Sequence, residues 1–173
     1  MLLDQLDMAL VSSTVPEMSS HFTVEALFNE PVWLFGPRHR LDARRRRKLH
    51  EIPLILTRSN NAARDLAEHE IIKAGHRLNV VAKTDSPRLI FEMMKAGIGY
   101  SIAPYLTFLD QLRRHELGGY PINRLTVQRS IISRRDRSTN KAIQFFKSLI
   151  RPEIDAACRD IAKANLRARR QTH

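Results

Sequence analysis

The chain has 173 residues, of which 29 are Lys or Arg and 18 are Asp or Glu, so its formal net charge is +11 at pH 7. With 43% hydrophobic and 27% charged residues, the composition is that of a globular protein rather than of a disordered chain. The single cysteine, Cys158, excludes a disulfide framework and a Cys-rich zinc site.

The sequence contains no segment that predicts a membrane span. Its longest uncharged run, from Ala96 to Leu109, is shorter than the roughly 20 apolar residues that a membrane helix needs. The first residues carry acids where a signal peptide carries positive charge. We therefore expect a cytoplasmic protein with no membrane partner.

The N-terminal part of the chain is predicted to be extended. A strand is expected at residues 6–11, followed by extended segments at 22–28 and 32–35 that Asn29 and Pro31 interrupt. A strand needs a neighbour, and nothing before residue 6 begins a strand–helix unit. The simplest interpretation is that the chain lacks its natural beginning.

The middle of the chain alternates strands and helices. Ser86 and Pro87 are typical of a helix start, and Gly75 and Gly97 can end helices in the left-handed conformation. Strands joined by crossover helices form a parallel sheet, so this block predicts an α/β fold. The predicted strands are 52–57, 78–83 and 99–103, and the predicted helices are 61–74, 86–97 and 105–114.

The C-terminal part is predicted to return from strand to helix. A strand is expected at 125–134, and helical spacing of apolar residues begins at Ser138. Pro152 is expected to break or kink this helix, with a weaker helix at 153–168. We expect the tail at 167–173 to be frayed.

The positive charge is concentrated in residues 38–48, 124–141 and 151–173. Such basic stretches attract nucleic acid or acidic lipid headgroups. For Arg44–Lys48 we favour a solvated loop, because no aromatic residue is interleaved there to stack on bases.

The residues give no support for catalysis. Ser101 lies in a Gly-x-Ser-x-Ala run, but a nucleophile elbow needs a turn between strand and helix, and Ser101 falls inside a predicted strand. Ile102 stands where a dinucleotide-binding fingerprint has its third glycine, and no two histidines are spaced at i, i+4. We therefore predict no enzyme activity, no cofactor and no metal site.

Polar residues follow each of the three middle strands. Parallel sheets bind ligands outside the carboxyl ends of their strands, where helix N-termini attract anions. Helix capping by the Asn and Ser side chains is compatible with such a site. The segments that we expect to converge at this edge are Arg58-Ser-Asn-Asn61, Thr84-Asp-Ser86 and Pro104-Tyr105.

Four segments resemble LysR-type transcriptional regulators. Leu6-Asp-Met-Ala-Leu10 resembles their LDLAI strand, and Glu51-Ile-Pro-Leu-Ile-Leu56 resembles their DLPLIL strand. The segment from Glu30 to Leu41 resembles the one that ends in a His-Pro-Leu-like turn, although Arg40 stands where Pro is usual. The most specific match is the run from Met94 to Pro104, which is similar to the family's AGLGYTILP.

This resemblance covers about residues 3–150 and implies a two-lobed fold of the type II periplasmic-binding-protein kind. Each lobe is expected to be a mainly parallel sheet flanked by helices, with lobe I incomplete. The lobe crossings are expected near Pro37–Arg38 and Arg134–Arg137. The implied division is 1–37 as part of lobe I, 38–134 as lobe II, 135–152 as the return helix to lobe I, and 153–173 as a basic C-terminal tail.

The function that the resemblance implies is an effector-binding regulatory domain. A small co-inducer, expected to be a carboxylate or other anion, would bind between the lobes and modulate DNA-dependent transcription. DNA would be contacted only through a winged helix-turn-helix domain absent from this chain, in a homo-oligomeric full-length protein. The family's effector contacts carry over to Ser12, Arg58, Ser59 and Asn60, and by a weaker match to Asp85.

A solute-binding protein of a transport system is the alternative interpretation, because it shares the fold. The absence of a signal peptide argues against it, although a truncated start would remove that signal too. An encoded helix-turn-helix upstream would favour the regulator, and an encoded signal sequence would favour the transport protein.

Overall fold

The computed structural model describes residues 6–12, 22–44, 48–58, 61–137 and 140–170. Short 3₁₀ turns lie at Leu49–Glu51, Tyr105–Phe108 and Arg135–Arg137. The strands and α-helices, in chain order, are β1 (Met8–Ser12), β2 (Phe22–Gly36), α1 (Arg38–Arg44), β3 (Leu54–Leu56), α2 (Ala62–Lys73), β4 (Val80–Lys83), α3 (Pro87–Lys95), β5 (Ser101–Pro104), α4 (Leu109–Arg113), β6 (Gly118–Arg134) and α5 (Lys141–Arg170).

The chain divides into two compact units. Unit 1 consists of Met1–Glu30 and Val127–His173, and unit 2 consists of Pro31–Thr126. Both boundaries fall inside long strands, β2 and β6, which are neighbours in a sheet of order β1-β6-β2-β5. The lobe boundaries that the family resemblance implies, after residues 37 and 134, stay predictions.

In unit 1, β1 pairs with the end of β6. The pairing is antiparallel and runs from Met8 opposite Ser133 to Ser12 opposite Arg129. The sequence predicts a mainly parallel sheet in each lobe. The pairing of β1 with β6 differs from this prediction, since the two strands run in opposite directions. The inward side chains of β6, Val127 and Ile131, are almost fully buried.

The C-terminal helix α5 is a single element that includes Pro152. The sequence predicts a break or kink at this proline and a separate, weaker helix after it. Proline lacks only one backbone donor, so the hydrogen bonds before and after Pro152 can keep the segment helical. The helix buries Ile143, Ile161 and Ala164, which lie on both sides of the proline in sequence.

A bidentate ion pair closes the turn that follows β6. The Arg134 Nε and Nη2 atoms donate to the two carboxylate oxygens of Asp136, at 3.0 and 2.7 Å. These hydrogen bonds lower the pKa of Asp136 below its ordinary value. Because the shift favours the charged form, its stabilising effect is lost as the pH falls through that lowered pKa.

The core of unit 2 is built on the buried strand β3. Its three residues, Leu54, Ile55 and Leu56, have no exposed surface. β3 pairs in parallel with β4, and its other side meets the start of β5, where the Ile55 N–H donates to the Tyr100 carbonyl at 2.7 Å. The parallel α/β arrangement that the sequence predicts for this block is therefore present.

The strand β2 is one element where the sequence predicts two segments interrupted at Asn29 and Pro31. It spans 15 residues. The segment Val32–Phe35 pairs antiparallel with β5, and Pro31 directly precedes it, so the missing N–H of the proline costs none of those bonds. β6 is likewise longer than the predicted 125–134 and begins at Gly118.

The predicted helix ends in unit 2 are confirmed. The Ser86 hydroxyl accepts a hydrogen bond from the Leu89 N–H, and Pro87 is the first residue of α3. Gly75 and Gly97, which follow α2 and α3, both have φ of +78°, the left-handed conformation that favours glycine. No helix in the described ranges is long and apolar enough to cross a membrane.

A buried ion pair links β2 and β6 within unit 1. The Glu30 side chain is fully buried, and its carboxylate accepts from Nε of Arg129, whose side chain is 21% exposed. A carboxylate in such surroundings is tolerated only with a close cation and further hydrogen bonds. The pair therefore constrains where these two strands approach each other.

We predict that Arg129→Met destabilises the chain by about 3–5 kcal/mol, because it leaves the Glu30 charge buried without its cation. The free energy of unfolding in urea measures this loss. The double variant Glu30→Gln/Arg129→Met removes both charges and should lose clearly less stability than Arg129→Met. Equal losses in the two variants would contradict the ion-pair account.

Candidate functional site

The loops that follow β3 and β4 lie side by side at the carboxyl ends of these strands. The Thr84 N–H, just after β4, donates to the carbonyl of Leu56, the last residue of β3, at 3.0 Å. The side chains of the next residues in each loop therefore emerge from the same edge of unit 2. We call this edge, with the described residues Thr57, Arg58, Asn61 and 84–86, the carboxyl edge.

Arg58 and Asp85 meet at the carboxyl edge. The Arg58 backbone N–H donates to Oδ1 of Asp85 at 2.9 Å, and its Nε atom lies 3.6 Å from Oδ2. Both side chains are largely exposed, by 75% for Arg58 and 60% for Asp85. An exposed ion pair is weakly held, so the guanidinium can exchange this partner for another anion at small cost.

The N-terminus of α2 opens onto the same edge. Asn61 is the N-cap, and its side-chain oxygen accepts from the Arg64 N–H at 3.2 Å. The first turn of a 12-residue helix retains unpaired N–H groups and the positive end of the helix dipole. A carboxylate at this position would be stabilised by both.

Arg64 joins the start of α2 to the residue that follows β3, and the sequence analysis does not predict this role. Arg64 is 8% exposed, its Nη1 atom donates to the Thr57 carbonyl at 2.8 Å, and its Nε atom lies 3.5 Å from a carboxylate oxygen of Glu68. The i, i+4 spacing of Arg64 and Glu68 is visible in the sequence and indicates the ion pair. That Arg64 is buried follows only from the fold.

The structure brings some of the predicted site residues together and separates others. Arg58 and Asp85 are adjacent, as described above. Ser59 and Asn60 lie outside the described residues. Ser86 caps α3, which is compatible with a ligand at this edge. Tyr105 is buried against Trp33, with ring centroids 4.7 Å apart, so its side chain is not exposed at the edge as the strand-end pattern suggests.

Ser12 belongs to unit 1 and has a partner there. Its hydroxyl accepts a hydrogen bond from Nη1 of Arg129, the same guanidinium that pairs with Glu30. Ser12 is therefore part of the polar network of the buried ion pair. Its role as an effector contact stays a prediction from the family resemblance.

Ser101 and Cys158, the two reactive side chains that the sequence analysis considers, both lie inside secondary-structure elements. Ser101 is 1% exposed and lies within β5, as the strand interpretation predicts, rather than at a turn between strand and helix. Cys158 lies within α5 and is half-buried. Among the described residues, no group of three or more His, Cys, Asp or Glu side chains is placed to hold a metal ion.

Comparisons with known proteins agree with this architecture. A family model described as LysR substrate binding domain matches residues 1–155. The regulatory domain of NMB2055 (MetR), a LysR family regulator from N. meningitidis, is similar with a TM-score of 0.66 and 19% identity, over 90% of this chain and 74% of that one. A comparison with curated proteins gives no match.

Two further structures are similar and contain ligands. The effector binding domain of QuiR in complex with shikimate has a TM-score of 0.67 and 14% identity, over 84% of this chain and 70% of that one. The Synechocystis PCC6803 CcmR regulatory domain in complex with 2-PG has a TM-score of 0.68 and 14% identity, over 83% of this chain and 71% of that one.

The family model matches most of the chain, so the chain belongs to the LysR substrate-binding domain family. Domains of this family are the effector-binding regulatory part of LysR-type transcription regulators. The match confirms the resemblance seen in the sequence and the α/β, periplasmic-binding-protein-like fold. It favours a regulator over a solute-binding protein of a transport system.

We predict that Asn61→Ala lowers the free energy of unfolding by about 1 kcal/mol, because α2 loses its side-chain cap. Asn61→Asp keeps a good capping acceptor and should leave stability nearly unchanged. Thermal unfolding of the three proteins measures both effects. A similar loss in both variants would show that Asn61 does not act as the cap.

Proposed function

We propose that this domain binds a small organic carboxylate at the carboxyl edge of unit 2, as the effector of a transcription regulator. The observation that carries the proposal is the position of Arg58. Its guanidinium is 75% exposed and lies in the loop that leads into the N-terminus of α2. An exposed cation beside the positive end of a helix is suited to a carboxylate.

Asp85 has a defined role in this proposal. Its carboxylate accepts from the Arg58 N–H and lies 3.6 Å from Nε, so it orients Arg58 and holds the guanidinium near the edge. An acid repels an anionic ligand, so Asp85 acts as a counter-charge that the effector displaces from the guanidinium. Ser59 and Asn60, between Arg58 and the cap, are proposed as hydrogen-bonding contacts.

The similar structures support the choice of ligand class. The QuiR domain is in complex with shikimate and the CcmR domain with 2-PG. Both similarities are below 20% identity, so neither identifies the effector of this chain. Shikimate and 2-PG are therefore the first probes for the proposed site, where Arg58 supplies the cation.

The wider role follows from the family. In the proposal, effector binding changes how a homo-oligomeric regulator acts on DNA in the cytoplasm, and the contact with DNA is made by a winged helix-turn-helix domain. In the proposal the domain is a binding module rather than an enzyme, since the described residues of the carboxyl edge are a cation, an acid and a helix N-terminus, the groups that bind and orient an anion.

We predict that Arg58→Gln weakens binding of a small carboxylate roughly tenfold or more, because a hydrogen bond to a charged group contributes about 1.5–3 kcal/mol. Calorimetric titration of the 173-residue chain with shikimate, 2-PG, benzoate and acetate measures the affinity. Ser59→Ala should also weaken binding, with little change in melting temperature.

Two controls separate this site from general charge effects. Arg77→Gln removes the same charge from an exposed position of unit 2 and should leave the affinity unchanged. Methyl shikimate, which lacks the carboxylate charge, should bind less well than shikimate to the parent chain. Equal affinities of the parent, Arg58→Gln and Ser59→Ala for every carboxylate tested would refute the site assignment.

A further inference from the structure

A cleft lies at the edge of unit 2 opposite the carboxyl edge. β2 is antiparallel to β5, with Phe35 opposite Ser101, so the end of β2 lies beside the start of β5. The cleft has a volume of about 500 Å³, which is within the usual range of small-molecule sites. The residues that line it are Pro37, Arg38, His39, Lys95, His115 and Glu116.

Three segments form this cleft, and contacts between them hold it together. They are the junction of β2 and α1, the end of α3, and the turn between α4 and β6. The Arg40 Nη1 atom donates to the carbonyl of Gly97, just after α3, at 3.5 Å. At Gly118, the first residue of β6, an added Cβ would lie 2.5 Å from a Leu41 methyl, so β6 approaches α1 closely.

Within the described residues, the basic side chains that line the cleft have no ion-pair partner. In the described part of the chain, the side chains of Arg38, His39 and His115 make no hydrogen bond or ion pair. The Lys95 ammonium only lies over the Phe91 ring, 5.8 Å from its centroid. Other arginines of unit 2 do have acidic partners, as in the pairs Arg58–Asp85, Arg88–Glu92 and Arg113–Asp110.

The backbone at His115 supports a role for its imidazole. His115 has φ of +60°, the left-handed conformation that glycine adopts most easily at the end of a helix. Its N–H donates to the Leu112 carbonyl at 3.1 Å, and the residue directly follows Arg114, the C-cap of α4. A histidine at this position accepts backbone strain and adds a ring nitrogen donor to the cleft.

We propose that this cleft is a second ligand site, which binds a small phosphorylated polyol. The phosphate lies against Arg38 and Lys95, because guanidinium and ammonium groups are the usual partners of phosphate oxygens. Glu116, the acid among the described residues of the lining, accepts hydrogen bonds from the hydroxyl groups. The same acid disfavours a second negative group at that end, which separates polyol phosphates from dicarboxylates.

Calorimetric titration of the 173-residue chain with glycerol 3-phosphate, inorganic phosphate and glycerol tests this site. We expect glycerol 3-phosphate to bind more tightly than phosphate, and glycerol not to bind. Arg38→Gln and Lys95→Gln should each weaken the binding of glycerol 3-phosphate roughly tenfold or more, because each removes a charged hydrogen bond. The matched control, Arg77→Gln, should retain the affinity of the parent.

The variant Glu116→Ala tests the orientation of the ligand. It removes the acceptor for the hydroxyl groups and a negative charge, so it should abolish the preference for glycerol 3-phosphate while phosphate binds at least as well as before. The proposal is overturned if the parent chain binds no glycerol 3-phosphate at millimolar concentration, if Arg77→Gln loses as much affinity as Arg38→Gln, or if Glu116→Ala keeps the preference. These titrations do not depend on carboxylate binding at Arg58.

Discussion

The position of the proposed effector site depends on one buried cation. The Arg64 guanidinium donates to the carbonyl of Thr57 from the first turn of α2, and so ties the end of β3 to the start of that helix. Arg58 is the next residue along the chain, and its N–H is held by Asp85 of the neighbouring loop. Because the Thr57 carbonyl and the Arg58 N–H are both hydrogen-bonded, the backbone that carries the exposed side chain of Arg58 is held at this point of unit 2.

The charges of unit 2 are distributed in a way that suits two different ligands. At the carboxyl edge, one exposed arginine has an acidic partner and a helix N-terminus nearby, which favours a single carboxylate. At the opposite edge, Arg38 and Lys95 lack ion-pair partners within the described residues, and Glu116 is close by. Both arrangements use the positive charge of unit 2 to hold a small anion.

The sequence predicts best what depends on local chemistry. Ser86, Gly75 and Gly97 set the helix ends of unit 2, because a capping hydroxyl and a left-handed glycine act within a few residues. It predicts less well what depends on pairing between distant residues. β2 continues through Pro31, and its pairing with β5 begins only at the next residue, Val32. The burial of Arg64 results from packing between elements, which the spacing of residues along the sequence does not show.

The central claim is that small carboxylates bind at the carboxyl edge of unit 2. Amide NMR spectra of the isotopically labelled chain, recorded during titration with shikimate, 2-PG, benzoate and acetate, test it most directly. The account predicts that the largest shifts occur at the amides of residues 57–64 and 84–86 and saturate together, while residues 95–97 and 115–118 shift less. Saturating shifts confined to other residues, or no shifts with any of the four carboxylates, would contradict it.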